Sequence, residues 1–205
     1  MSSHTVASAI ETRVSTHLFD ASHVLDEAQI AELVRLATLA PTAYHLQNWR
    51  FIAVRTPAAK AQLHALAWRQ QKVLDAAVTY IVCGTLQAHT RLAERLAPVV
   101  RAGVFGQAVG DAWVAQASAA HAPDAQLQRD EAVRSASLAA MTLMLAAEGM
   151  GLASAPMGGF DAAGVAGAFG LQADELPVML VAVGRAAEAA APKPRRPVAE
   201  VLALA

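Results

Sequence analysis

The stretch from Leu127 to Met150 limits the fold of this chain more than any other segment. It is charged early, at Arg129, Asp130, Glu131 and Arg134, and then runs from Ser135 to Ala147 without a charge, dominated by Ala, Leu and Met. Those residues favour one long helix, and Gly149 and Gly151 end it. A helix that is apolar all round has to be covered on all sides, in a core or at a subunit interface. The uncharged run is too short to cross roughly 30 Å of hydrocarbon, and Glu148 closes it. A membrane is therefore not the expected cover.

The rest of the chain shares this apolar surplus. Hydrophobic residues make up 55% and charged residues 16% of 205, against averages of roughly 45–50% and 25%. An oligomer interface or a cofactor with an apolar face would hide the excess. A net charge of −1 argues against nucleic acid, which calls for a basic face. No cationic segment leading into an apolar stretch opens the chain, so the expected location is the cytoplasm. The single cysteine, Cys83, suits a reducing compartment and reads as an inert core residue.

Local signals divide the chain into helices and strands. Residues 3–12 read as a short helix. Asp26 with Gln29 makes a capping box, and Ile30, Leu33, Val34 and Ala37 follow a helical stripe that stops before Pro41. Trp49–Val54 reads as a strand, and Thr56-Pro57 opens a helix to about Ala67. Val78–Gly84 and Pro177–Gly184 read as buried strands and Leu152–Met157 as a brief one. Residues 86–98 and 104–120 and Asp161–Phe169 read as helical, with a loop at His121–Asp124. After Gly184, Pro192, Pro194 and Pro197 favour an extended arm with an apolar tail. The expectation is one α+β domain over residues 1–205, with residues 185–205 as an arm made to lie on something else.

The chain lacks a dinucleotide-binding glycine motif, a phosphate-binding P-loop, a zinc-protease motif, a paired CxxC and a nucleophile elbow. No two of its seven histidines are spaced for a metal. Four weaker segments remain. In Arg13-Val14-Ser15-Thr16-His17, an extended backbone would set a guanidinium, a hydroxyl and an imidazole on one face, as a phosphate monoester requires. The run from Ala40-Pro41-Thr42-Ala43-Tyr44-His45 to Gln47-Asn48-Trp49 is a helix stop followed by a polar, aromatic turn. Pro156-Met157-Gly158-Gly159-Phe160-Asp161 could let backbone approach a ligand closely. Lys193, Arg195 and Arg196 ride on the arm, and Lys193 is one of only three lysines. On spacing alone each segment also has an ordinary reading: a surface turn, a helix-to-strand connection, a capped tight turn and a solvated tail.

Taken in order, the four segments resemble the nitroreductase family of flavoproteins. The matches are Arg13 with Ser15, Ala40-Pro41-Thr42 with Gln47 and Trp49, Pro156–Asp161, Val183-Gly184, and Lys193 with Arg195. They cover nearly the whole chain except a less diagnostic middle at about 86–125. The resemblance implies a nitroreductase-like α+β fold, with a central mixed, mostly antiparallel sheet flanked by helices. It also implies an interlocked homodimer that exchanges its C-terminal arms and holds FMN at the interface. By the same resemblance, Arg13, Val14, Ser15 and His17 hold phosphate and ribityl together with Lys193 and Arg195. Pro41, Thr42, Ala43, His45 and Gln47 bind the cofactor, with Thr42 where the family's Ser contacts the flavin, usually from the partner chain. Arg69 and Lys72 lie at the ring edge, and Pro156, Met157, Gly158 and Gly159 lie by its reactive nitrogen.

The implied activity is hydride transfer from NADH or NADPH through FMN to a small-molecule acceptor such as a nitroaromatic, quinone or activated enone. A specialised flavin dehydrogenase or oxidase, or a non-catalytic flavin-binding protein, would carry the same residues. His45, Asn48, Arg69 and Gly158 depart from the family's usual Asn, Pro, Asn and Glu.

Overall fold

The computed structural model describes residues 5–205. Four strands form one sheet in the order β1-β2-β4-β3: β1 is Trp49–Val54, β2 Val78–Thr85, β3 Ala153–Met157 and β4 Glu175–Gly184. Every strand pair is antiparallel. The one parallel contact is an isolated bridge between Ser15 and Ser154, which lays the N-terminal segment beside β3.

β2 and β4 lie at the centre of the sheet, and their alternation splits the core in two. Val78, Tyr80, Val82, Val181 and Val183 face Leu33 and Ala37 of α2 (Glu27–Ala37) and Ala136, Ala140 and Leu143 of α7 (Ala125–Gly149). Ile81, Cys83, Leu180 and Ala182 face the other way, against Leu63 of α3 (Pro57–Leu66), Val73 of α4 (Lys72–Asp75) and Val165 of α8 (Ala162–Ala168). Successive side chains point to opposite faces of a strand, so continuous apolar runs mark strands covered on both sides. Burial pushes the Cys83 thiol up to about 12, which leaves it inert.

The local signals act as their chemistry requires. Asp26 accepts from the Gln29 backbone N–H at 2.7 Å, and Gln29 Oε1 accepts from that of Asp26 at 3.1 Å. Thr56 caps α3 ahead of Pro57. α7 begins and ends within two residues of the expected bounds. One side of it is buried on the sheet, but Leu138 and Met141 stay exposed.

Four elements differ from expectation. The helix expected at 86–98 is a 3-10 turn at Ala88–Arg91 followed by α5 (Leu92–Arg101), which carries Pro98 inside it. α4 and the turn Ala43–His45 have no periodicity to announce them. The helix expected over 3–12 is α1 (Val6–Thr12), with part of the expected span outside the described residues. α6 (Gln107–His121) packs with α5 around a third cluster of Leu46, Ala88, Leu92, Leu96 and Ala117.

Candidate functional site

Arg13 is the C-cap of α1 and its backbone is already extended, with φ of −60° and ψ of 121°. The Thr16 backbone N–H donates to the Ser154 carbonyl at 3.0 Å, which fixes the extended run against β3. Ser15 and His17, two residues apart, then line a cleft of about 330 Å³ whose far wall is the arm, with Glu188, Ala191, Lys193 and Arg195. Val14 borders this cleft and also a neighbouring one of about 400 Å³ lined by Thr12, Glu148 and Arg185.

Arg13 is absent from both linings. It is half-buried, and its Nε and Nη1 are covered with no hydrogen-bond partner among the described residues. Ser15 and His17 therefore share the cleft, whereas Arg13 is not part of its lining.

Two further cations differ in role. Lys60 donates to the Leu74 carbonyl at 3.2 Å and to that of Ala76, so it closes the end of α4 and is structural. Lys72 opens α4 half-buried. Its ammonium is held below the ordinary lysine range first by burial and then by the charge of Lys193. The fold thus brings the α4 lysine and the arm lysine into electrostatic contact.

The turn after β3 is clamped by the loop that follows α3. Gln70 Nε2 donates to the Gly159 carbonyl at 2.9 Å, and the Asp161 N–H donates to the Leu66 carbonyl at 2.8 Å. A Cβ on Gly159 would lie 2.6 Å from Trp68 Cζ3, so any larger residue there would have to push the indole aside. Gly158 beside it faces open space, whereas Pro156 and Met157 are still in β3. Trp68 and Arg69 have φ of 51° and 55°. The left-handed region costs roughly 1–2 kcal/mol for each such residue.

Pro41, Thr42, His45 and Gln47 line a different, mainly apolar cavity of about 510 Å³, together with Tyr44, Val99, Val104, Phe105 and Trp113. Ala43, exposed, starts the adjoining 3-10 turn. Thr42 Oγ1 accepts from the Gln47 backbone N–H at 3.0 Å, and the Gln47 amide meets His45 Nε2 at 2.8 Å. Tyr44, His45 and Gln47 all have positive φ. This cavity shares no lining residue with the cleft that holds Lys193 and Arg195. Sequence reasoning missed Trp68, the Glu188–Ala191 wall and the aromatic lining of the apolar cavity. The left-handed turns at Tyr44 and at Trp68 leave no mark at the level of residue type.

Among the described residues no group of three His, Cys, Asp or Glu could hold a metal ion. No helix among them is long and apolar enough to cross a membrane.

The model of the Nitroreductase family matches residues 10–185. The chain belongs to that family, and with it to the oxidoreductases. YodC of Bacillus subtilis, provisionally named an NAD(P)H nitroreductase, is 30% identical over 192 residues, covering 94% of this chain and 95% of that protein. An NADH dehydrogenase of Thermus thermophilus is 32% identical over 179 residues, 86% of this chain and 84% of that one. A provisionally named nitroreductase of Exiguobacterium sibiricum, solved in complex with FMN, superposes with a TM-score of 0.92. That protein is 27% identical to this chain, with 98% of this chain and 97% of the other covered.

Proposed function

We propose that residues 1–205 form one FMN-binding unit, an NAD(P)H oxidoreductase that acts as a homodimer and reduces a quinone, a nitroaromatic or an activated enone. The observation that carries the reading is the gathering of Ser15, His17, Lys193 and Arg195 about one cleft, with Lys72 in electrostatic reach of Lys193. A hydroxyl, an imidazole, an ammonium and a guanidinium are the donors a phosphate monoester takes. The repulsion between Lys72 and Lys193 is relieved by an anion near both, and the covered nitrogens of Arg13 still lack an acceptor. These residues fit FMN, the ligand of the Exiguobacterium protein.

When bound, FMN supplies the redox chemistry, taking hydride from NADH or NADPH and passing it to the acceptor. The chain's own part is to bind, orient and tune. Arg13, Val14, Ser15, His17, Lys193 and Arg195 hold the phosphate end. Lys72 and Arg69 keep positive charge by the edge of the ring, which offsets the negative charge gained on reduction. Pro156, Met157, Gly158 and Gly159 offer backbone to its reactive side. Pro41, Thr42, Ala43, His45 and Gln47 line a separate cavity in one chain, so a second copy brings them to the cofactor. Donor and acceptor use one open face in turn, which gives ping-pong kinetics.

A visible spectrum of the purified chain tests this. Flavin absorption that bleaches anaerobically with NADH or NADPH and returns with menadione is expected, with parallel double-reciprocal lines. A chain that takes up no flavin contradicts the reading. A flavin that neither nucleotide reduces points instead to a non-catalytic binding protein.

A further inference from the structure

Trp68 is the only Phe, Tyr or Trp in the exposed class among the described residues, with 73% of its surface open. Water disfavours so large an apolar side chain on a surface, and a relaxed loop would fold it inward. Here the left-handed turn at Trp68 and Arg69 aims it outward at a conformational cost. The indole rests on one neighbour. Its six-membered ring lies over Gly159, where a Cβ would come within 2.6 Å of Cζ3 and 2.7 Å of Cε3. Gln70, two residues on, ties the same loop to the Gly159 carbonyl. On the far side, Gly158 leaves the turn bare. An outward indole beside a turn without side chains makes a shelf, apolar and flat, at the rim of the turn assigned to the ring.

We propose that Trp68 is a specificity-determining residue, a stacking surface that selects flat aromatic acceptors of the naphthoquinone type. The inference rests on the functional reading above and deepens it by naming the acceptor class. Offset or edge-on aromatic contacts add modestly to area burial, enough for a preference of about three- to tenfold. Arg69, exposed next to the indole, gives the same rim a positive charge that favours an acceptor gaining negative charge.

The test uses the full-length holoprotein. Calorimetric titration of the oxidised, FMN-loaded chain with menadione, in the absence of NAD(P)H, reads binding without turnover. Trp68→Ala is expected to raise the menadione Kd about three- to tenfold, and Trp68→Phe to keep most of the affinity. In steady state, the rise in KM for menadione is expected to outrun that for ferricyanide, a compact anion with no ring to stack. FMN affinity and sedimentation are expected to match wild type.

An unchanged menadione Kd in Trp68→Ala would overturn the inference. So would an equal loss for ferricyanide, or variants of both kinds that lose FMN or change their assembly, since Trp68 would then serve packing or an interface. A wild-type chain that takes up no FMN would defeat the functional reading itself, and is read before any variant is made.

Discussion

Lys72, at the start of a four-residue helix, feels the charge of Lys193 on the C-terminal arm, and this repulsion adds to burial in holding its ammonium below the ordinary lysine range. Two cations that repel each other do not stabilise the fold, and in the function proposed above an anion relieves them. The arm is part of the cleft wall, so the proposed dimer and the proposed cofactor site would be linked through it.

Arg13→Ala separates binding from folding. The covered Nε and Nη1 of Arg13 lack a partner, so their loss is expected to leave the FMN-free chain at least as stable in thermal melts. FMN affinity is expected to fall by roughly 1.5–3 kcal/mol, the worth of a hydrogen bond to a charged group. An unchanged FMN Kd would remove Arg13 from the phosphate site.

Gly159→Ala probes the contact with Trp68. The added methyl meets the indole, which must shift to admit it, and an off-rotamer side chain costs roughly 0.5–1.5 kcal/mol. In a Trp68→Ala background the cost is expected to vanish, so a double-mutant cycle by urea denaturation should give a coupling energy of similar size. A cost that is the same in both backgrounds would mean that the glycine is needed for some other reason.

Truncation before Ala191 removes Lys193 and Arg195 together with the exposed Val198, Val201, Leu202 and Leu204. Flavin retention and the dimer are both expected to weaken. Leu202→Asp with Leu204→Asp keeps the cations and charges only the tail, so sedimentation is expected to shift towards monomer. A stable yellow dimer after truncation would contradict an arm laid on a second copy.

Acid is expected to destabilise the fold through a stacked histidine pair. His89 and His121 are buried with ring centroids 6.0 Å apart. Burial first, and the charge of His121 second, hold His89 below its ordinary 6.5. The unfolded chain therefore takes up a proton as pH drops through 6.5, while the folded chain refuses it until lower pH. Stability falls in that window, at no more than about 1.4 kcal/mol per pH unit for one proton. Urea midpoints from about pH 8 to about pH 5 read the effect, and His89→Phe should flatten it. Equal slopes in the two proteins would assign the acid sensitivity elsewhere.

The sequence made the fold legible wherever burial imposed a period or a cap had its own chemistry. Val78–Gly84 had to be a covered strand, and Asp26 with Gln29 had to begin a helix. The cations at Ser15–His17 and Lys193–Arg195 could be grouped only through the family resemblance, because residues so far apart in sequence meet through chain topology. Lys72–Asp75 is too short a helix to show a period. Trp68 was missed because its meaning depends on a left-handed backbone, and no residue type reports that. Alternation groups Arg13 with Ser15 and His17, but spacing does not report that its Nε and Nη1 are covered while the other two line the cleft.

The most direct measurement compares the affinity of the FMN-free chain for FMN and for riboflavin, which lacks only the phosphate. If Ser15, His17, Lys193 and Arg195 form a phosphate cradle, FMN binds at least about tenfold more tightly, a margin of about 1.4 kcal/mol, and Lys193→Ala with Arg195→Ala narrows the gap. Equal affinity for the two flavins, or none for either, would contradict it.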